Sequence, residues 1–214
     1  MQPLCTNISL VYSDPDESLR INVDCKLIKR PNHLFWADKF AACLEHQTSK
    51  YILIIHADCF FADWQRVVKS FLSAVGTFPQ IGVWAPSITN CNYAYHQAFI
   101  SKLNHEGLDL VAQTDAVVFG LSESICHRLK RIDFTKNIYG WGIDLIMVAN
   151  AYVSNLYVTL DSSILVDHSK ERGYSSDEAK LQLMQFFREF STQEIILNRL
   201  LMNYIKHYAA GKSN

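Results

Sequence analysis

The chain has 214 residues, the size of one large domain. Hydrophobic residues make up 49% and charged residues 19%, which suits a packed core and excludes disordered, collagen-like and coiled-coil chains. Twenty Lys and Arg against 21 Asp and Glu leave a formal charge of −1, so no long-range positive field recruits nucleic acid and function has to come from local sites.

Three short apolar, β-branched runs, Ile8 to Tyr12, Tyr51 to Ile55 and Ala116 to Phe119, have the pattern of buried strands. Between the first two, Leu34 to His46 repeats Trp36, Phe40, Cys43 and Leu44 at helical spacing and predicts one buried helix face. Asp63 to Val75 predicts a second helix, with Trp64, Val67, Val68, Phe71 and Leu72 inward and Gly76 as its stop. Ile81 to Pro86 reads as a strand, Ser122 as the N-cap of a short helix through Lys130, Leu145 to Tyr152 as a helix and Tyr157 to Val166 as late strands.

The C-terminal part is helical in pattern over Asp177 to Phe190 and Thr192 to Tyr208. Ile196, Leu200, Tyr204 and Tyr208 fall every four residues, and Leu197 and Leu201 widen the same apolar face, which predicts cover for the sheet or an oligomer interface. Arg199, Lys206 and Lys212 equally suit peripheral contact with an anionic membrane surface. Strands alternating with helices predict an α/β fold, a Rossmann-type mixed, mostly parallel sheet with flanking helices and a C-terminal helical segment.

Six cysteines, at positions 5, 25, 43, 59, 91 and 126, form no C-x-x-C pair, so neither a zinc cage nor a disulfide scaffold is indicated. The N-terminus has no basic n-region and no apolar h-region. The expectation is a reduced, cytoplasmic protein.

Three segments carry candidate chemistry. In Tyr51-Ile-Leu-Ile-Ile-His56-Ala57-Asp58 a buried strand delivers His56 and Asp58 at its carboxyl end, where open α/β sheets place ligands. Alternation puts both on one side, and an imidazole with a carboxylate can hold Mn²⁺ or Mg²⁺ beside a diphosphate; a strand-end Asp capping the next turn is the structural alternative. In Tyr139-Gly140-Trp141-Gly142-Ile143-Asp144 the glycines, Gly142 among them, permit close approach to a ligand, and Trp141 offers a flat face to a sugar. Asp144 can take a proton from a hydroxyl, or simply favour the positive end of the following helix. In Leu165-Val-Asp167-His168 a polar pair ends an apolar strand, and Lys170, Arg172 and Gly173 follow in a loop able to meet phosphate.

In their order these segments resemble the GT-A glycosyltransferases, in particular the family 2-like inverting enzymes and their galactosyltransferase-like relatives. Those enzymes carry an apolar strand ending in D-x-D, then a W-G-x-E-D type motif about a hundred residues later, then a metal-binding histidine. Here the matching positions are His56-Ala57-Asp58, Gly140-Trp141-Gly142-Ile143-Asp144 and His168. The resemblance spans roughly residues 8 to 175 and implies a GT-A-like nucleotide-sugar, metal and acceptor-binding domain over 1-175, with 176-214 a helical extension packed on it.

The resemblance further implies Asp58, His168 and His56 as metal ligands for Mn²⁺ or Mg²⁺, Asp144 as catalytic base, and Trp141 and Gly142 at the acceptor. Asp14, after the strand that looks like the family's second, would contact the nucleotide together with Lys170 and Arg172. Two substitutions depart from the pattern: His56 stands where the first Asp is usual, and Leu145 replaces the Asp that is often the base. Fewer residues than usual precede Asp58.

The implied partners are a nucleotide-diphosphate sugar donor and a glycan or other hydroxyl acceptor. A catalytically inactive sugar-nucleotide or glycan-binding domain of the same fold is the alternative. A metal-dependent hydrolase built on His56 and Asp58 is a third reading, disfavoured by the lack of a second clustered set of His and Asp ligands in the sequence.

Overall fold

A computed structural model describes residues 7–91, 98–168 and 174–210. Cys5, Lys170, Arg172, Gly173 and Lys212 lie outside the described residues. Strands β1 (Ser9–Tyr12) and β2 (Lys26–Lys29) form a parallel two-stranded ribbon, followed by a 3-10 turn (Asn32–Leu34) and helix α1 (Phe35–Glu45). Then come β3 (Tyr51–Ile55), β4 (Cys59–Phe60), α2 (Trp64–Thr77), β5 (Ile81–Ile88), β6 (Phe99–Lys102), β7 (Leu108–Val111) and β8 (Val118–Ser122). Helices α3 (Glu123–Leu129) and α4 (Ile143–Val153), strand β9 (Tyr157–His168) and helices α5 (Ser176–Phe186) and α6 (Thr192–Ala210) complete the chain.

The main sheet has the order β3-β8-β5-β9-β7-β6, with β4 paired to the far end of β9. It is a mixed α/β sheet with flanking helices, as the alternation of patterns predicts; among its described strand pairs only β5 with β9 is parallel, and the parallel character expected of the sheet lies in strands that share a direction without pairing. β3, β5, β9 and β6 run one way, and β8 and β7 the other. β3 and β5 do not pair directly: β8 lies between them, antiparallel to both, because the chain returns to the gap from the far edge of the sheet.

The period of two along the central strands splits the core between two faces. Val83 and Ala85 of β5 and Phe119 and Leu121 of β8 meet Phe40 and Leu44 of α1, Ile125 and Leu129 of α3, Ile146 of α4 and Phe186 of α5. Trp84 and Val118 point the other way, to Val67, Phe71 and Ala74 of α2. Gly120 makes that second layer possible, since a Cβ there would stand 2.2 Å from Cε2 of Phe71.

Two helix readings need correction. α2 starts where the sequence places it, with the Asp63 carboxylate accepting from the Arg66 amide at 3.1 Å, but it continues through Gly76 to Thr77. Its buried stripe is Val67, Phe71, Ala74 and Val75, while Leu72 is exposed. In α6 the apolar face, expected to cover the sheet or form an oligomer interface, does not cover the sheet: Ile196, Leu200 and Tyr204 are exposed in the single chain, and Glu194, Asn198 and Ile205 are buried. On the inward side of the helix Glu194 is bonded to Arg128 and Asn150, a polar contact that apolar spacing does not disclose.

Candidate metal centre and its surroundings

The site begins at the end of β3. The His56 amide donates to the Val117 carbonyl at 3.1 Å, which continues the ladder to β8 by one residue. The Cys59 amide then donates to the His56 carbonyl at 3.3 Å and closes a turn. His56 and Asp58 are thus gathered by a turn rather than by strand alternation. β4 follows at once and pairs antiparallel with β9, in the register Cys59 to His168, so a residue 110 positions downstream of Asp58 arrives beside it. His168 is clipped in place from the loop after β5: its amide donates to Thr89 Oγ1 at 3.0 Å and its carbonyl accepts from Asn90 Nδ2 at 2.9 Å.

One ligand atom each from His56, Asp58 and His168 lies within 4.8 Å of the others. His168 Nε2 stands 3.2 Å from Asp58 Oδ2. The His56 ring packs against Trp36 of α1, centroids 3.8 Å apart and planes at 60°. Burial pushes the His56 pKa down to about 4; the Asp58 charge opposes the shift and His168 adds to it. The ring is therefore neutral at physiological pH, the form in which imidazole binds a metal. Its Nε2 is buried with no hydrogen-bond partner among the described residues. A buried ring nitrogen left unbonded is costly unless a ligand completes it. Two imidazoles, that of His56 with its Nε2 unbonded, and one carboxylate fit a divalent ion, with coordination positions left for a substrate.

The glycine-flanked tryptophan lies against the same helix. Gly140 adopts φ +75°, and a Cβ there would stand 2.5 Å from Trp36 Cδ1, so the loop backs directly onto the side chain that packs on His56. Trp141 Nε1 donates to the Tyr174 hydroxyl at 3.0 Å, and Tyr174 stacks on Tyr139 with centroids 4.4 Å apart. Asp144 sits in the first turn of α4 and accepts from Gln113 Nε2 at 3.3 Å. Gly142 adopts φ +90° and is buried, and a Cβ on it would lie 2.6 Å from Leu183 Cδ1 of α5. The close approach it permits is therefore used by the C-terminal helix.

Asp14 lies apart from the metal cluster in the chain, after β1, where its carboxylate accepts from the Ser18 amide at 3.0 Å. It lines a shallow cleft of about 370 Å³ together with Lys29, Arg30 and Asn32, just before α1. Arg30 in turn pairs with Asp38 of α1.

Of the residues singled out in the sequence, His56, Asp58 and His168 come together, and Trp141 is linked to them through Gly140 and Trp36. Trp36, Thr89, Asn90 and Gln113 were not singled out as site residues. Trp36 reads as an ordinary core position in its helix, and the positive φ of Asn90, 59°, is the kind of feature a sequence shows only as an Asn in a turn.

Fold and site together define a mixed α/β domain with a two-histidine, one-carboxylate cluster at the carboxyl end of β3. No family profile and no curated protein matches the chain. Among solved structures it is similar to a UDP-glucose pyrophosphorylase complexed with UDP-glucose, at 9% identity and a TM-score of 0.42, over 78% of this chain and 67% of that one. A UTP-bound UGPase from Acinetobacter baumannii is similar at 9% identity and a TM-score of 0.44, over 87% of this chain and 68% of that one. Likenesses this distant say nothing of this chain's ligand. Among the described residues no helix is long and apolar enough to cross a membrane.

Proposed function

We propose that this chain is a metal-dependent glycosyltransferase that moves a sugar, with inversion, from a nucleotide-diphosphate donor to an acceptor hydroxyl. The observation that carries the reading is the convergence of His56, Asp58 and His168 around an orphaned imidazole nitrogen at a strand end. A divalent ion bound there would supply Lewis-acid neutralisation of a departing diphosphate. Asp58 and His168 hold that charge next to the sheet, and Trp36 fixes the ring of His56.

Asp144 takes the proton of the acceptor hydroxyl as its oxygen forms the new bond to the anomeric carbon, while the bond from that carbon to the diphosphate oxygen breaks on the opposite face. Gln113 orients the Asp144 carboxylate for this step. Trp141, partly buried, offers its remaining exposed aromatic face to the acceptor, and Gly142 shapes the turn that presents it. Asp14, in its cleft with Lys29 and Asn32, serves the nucleotide.

Transfer assays on a set of nucleotide sugars with Mn²⁺ test the reading. Asp144→Asn keeps shape and removes basicity, so transfer should fall at least about 100-fold while nucleoside diphosphate binding is unchanged. A parental rate in that variant contradicts the base role. Donor binding without transfer by the parent protein favours a sugar-nucleotide-binding domain instead.

A further inference from the structure

We infer that the His56, Asp58 and His168 centre is selective for late first-row ions such as Co²⁺ and Zn²⁺ over Mg²⁺, and that His56 is the residue that sets this selectivity. The inference deepens the metal-dependent reading and rests on the cluster being a metal site. Its basis is the donor set. Mg²⁺ demands oxygen ligands in near-ideal octahedral geometry and gives up water reluctantly, so protein sites for it are built from carboxylates. This cluster offers one carboxylate, half of whose side chain is exposed to solvent, and two ring nitrogens. Imidazole suits zinc, cobalt, nickel and iron, whose affinity for nitrogen donors exceeds that of Mn²⁺.

The geometry admits a shared ion, and the burial of His56 bears on which one. Ligands bound at about 2.1 Å and separated by 90° to 110° at the metal stand roughly 3.0 to 3.4 Å apart. The 3.2 Å between His168 Nε2 and Asp58 Oδ2 lies in that range. His56 is also the least solvated of the three donors: its Nε2 is buried and unbonded, and Trp36 packs on its ring. A strongly hydrated ion that keeps its waters cannot reach such a nitrogen as readily as an ion that exchanges water for imidazole. His168 is held through both its amide and its carbonyl by Thr89 and Asn90, which limits how far the cluster can open to admit an ion with its hydration shell.

The test is equilibrium binding of Co²⁺, Zn²⁺ and Mg²⁺ by the chelator-stripped full chain, with the ligand-field absorption of Co²⁺ as a second readout. Parent protein should bind one Co²⁺ at least about 100-fold more tightly than Mg²⁺ and show bands of a site with nitrogen donors. His56→Asp restores a second carboxylate; it should weaken Co²⁺, strengthen Mg²⁺ and narrow the ratio at least about tenfold. His56→Asn should weaken Co²⁺ with no gain in Mg²⁺. Circular dichroism of the metal-free variants verifies that they are folded.

Equal binding of Co²⁺ and Mg²⁺ by the parent, or a ratio unchanged by His56→Asp, overturns the selectivity and leaves the metal site standing. Failure of every ion to bind the parent overturns both. Nucleoside diphosphate affinity, measured separately, reports on the donor reading without reference to which ion is preferred.

Discussion

Two polar clusters sit at different places in this domain, and they are finished to different degrees. Where α6 meets α3 and α4, Arg128 makes a two-pronged contact with Glu194, Nε to Oε1 at 2.9 Å and Nη2 to Oε2 at 2.8 Å. Asn150 Nδ2 donates to the same carboxylate at 3.1 Å and the Ser191 amide at 2.6 Å, while Arg128 also reaches the Glu189 carbonyl. Burial pushes the Glu194 pKa up, but the bonds from Arg128 and Ser191 and the Arg128 charge outweigh it, and the net shift is downward. At the end of β3 the polar groups converge with one buried nitrogen unbonded. A cluster whose hydrogen bonds close on themselves holds the fold; one left open is shaped for something that arrives later.

The largest effect should come from breaking the closed cluster. Arg128→Met leaves the Glu194 carboxylate buried without its partner and should cost about 3 kcal/mol in denaturant unfolding. A loss below about 1 kcal/mol, the level of an exposed ion pair, would place this pair with surface contacts. The pH dependence follows from the same carboxylate. Its folded pKa lies below the unfolded one, so its contribution is fully present above the ordinary glutamate value of 4.5 and is lost as pH falls through the folded value. The stability gap between parent and Glu194→Gln should be constant near neutrality and shrink only in acid.

A smaller loss is expected where Gly140 backs onto Trp36 behind the open cluster. Gly140→Ala forces a side chain into a left-handed backbone and against Trp36, and should cost roughly 1 to 3 kcal/mol. It should also displace Trp36 from His56 and weaken divalent-ion binding, an effect that a purely local strain would not produce. Smallest of all is the effect on stability of His168→Ala, whose side chain is partly exposed: unfolding without metal should change by less than about 1 kcal/mol. The stabilisation that parent protein gains from added ion should disappear in that variant.

How far the sequence discloses this arrangement depends on which forces set each part. Short apolar runs disclose β5 and β8, because burial on both faces leaves an unbroken hydrophobic signature, and also β3, an edge strand that is only partly buried and has Ile55 exposed. The run Ile8 to Tyr12 marks β1 but not its burial, since that strand lies in the two-stranded ribbon with Ile8 exposed; β2 and β6, largely exposed, have no such signature. The rotation of α6 is not legible in its apolar stripe, because the Arg128 to Glu194 contact that faces inward joins residues 66 positions apart in the chain.

For the site, His56, Asp58 and His168 were visible as polar residues at the ends of apolar strands. Their meeting depends on the β4 to β9 pairing, formed by the two-residue strand Cys59–Phe60, too short to carry a pattern of its own. The part played by Trp36 was hidden for the opposite reason: its spacing is that of a core residue, and it packs on that core as well as on His56. Gly142, expected near a ligand, is covered by Leu183 and Phe186, a contact supplied by a helix 40 residues downstream.

The central claim is that Asp58 and its two histidines hold a divalent ion on which a nucleoside diphosphate depends. Calorimetric titration of parent and Asp58→Ala proteins with nucleoside diphosphates, with and without Mn²⁺, tests it most directly. In the parent, at least one diphosphate should bind with Mn²⁺ and lose about tenfold or more in affinity without it, a difference of about 1.4 kcal/mol. In Asp58→Ala that dependence on Mn²⁺ should vanish while the fold persists. The same Mn²⁺ dependence in both proteins, or no diphosphate binding by the parent under either condition, would contradict the account.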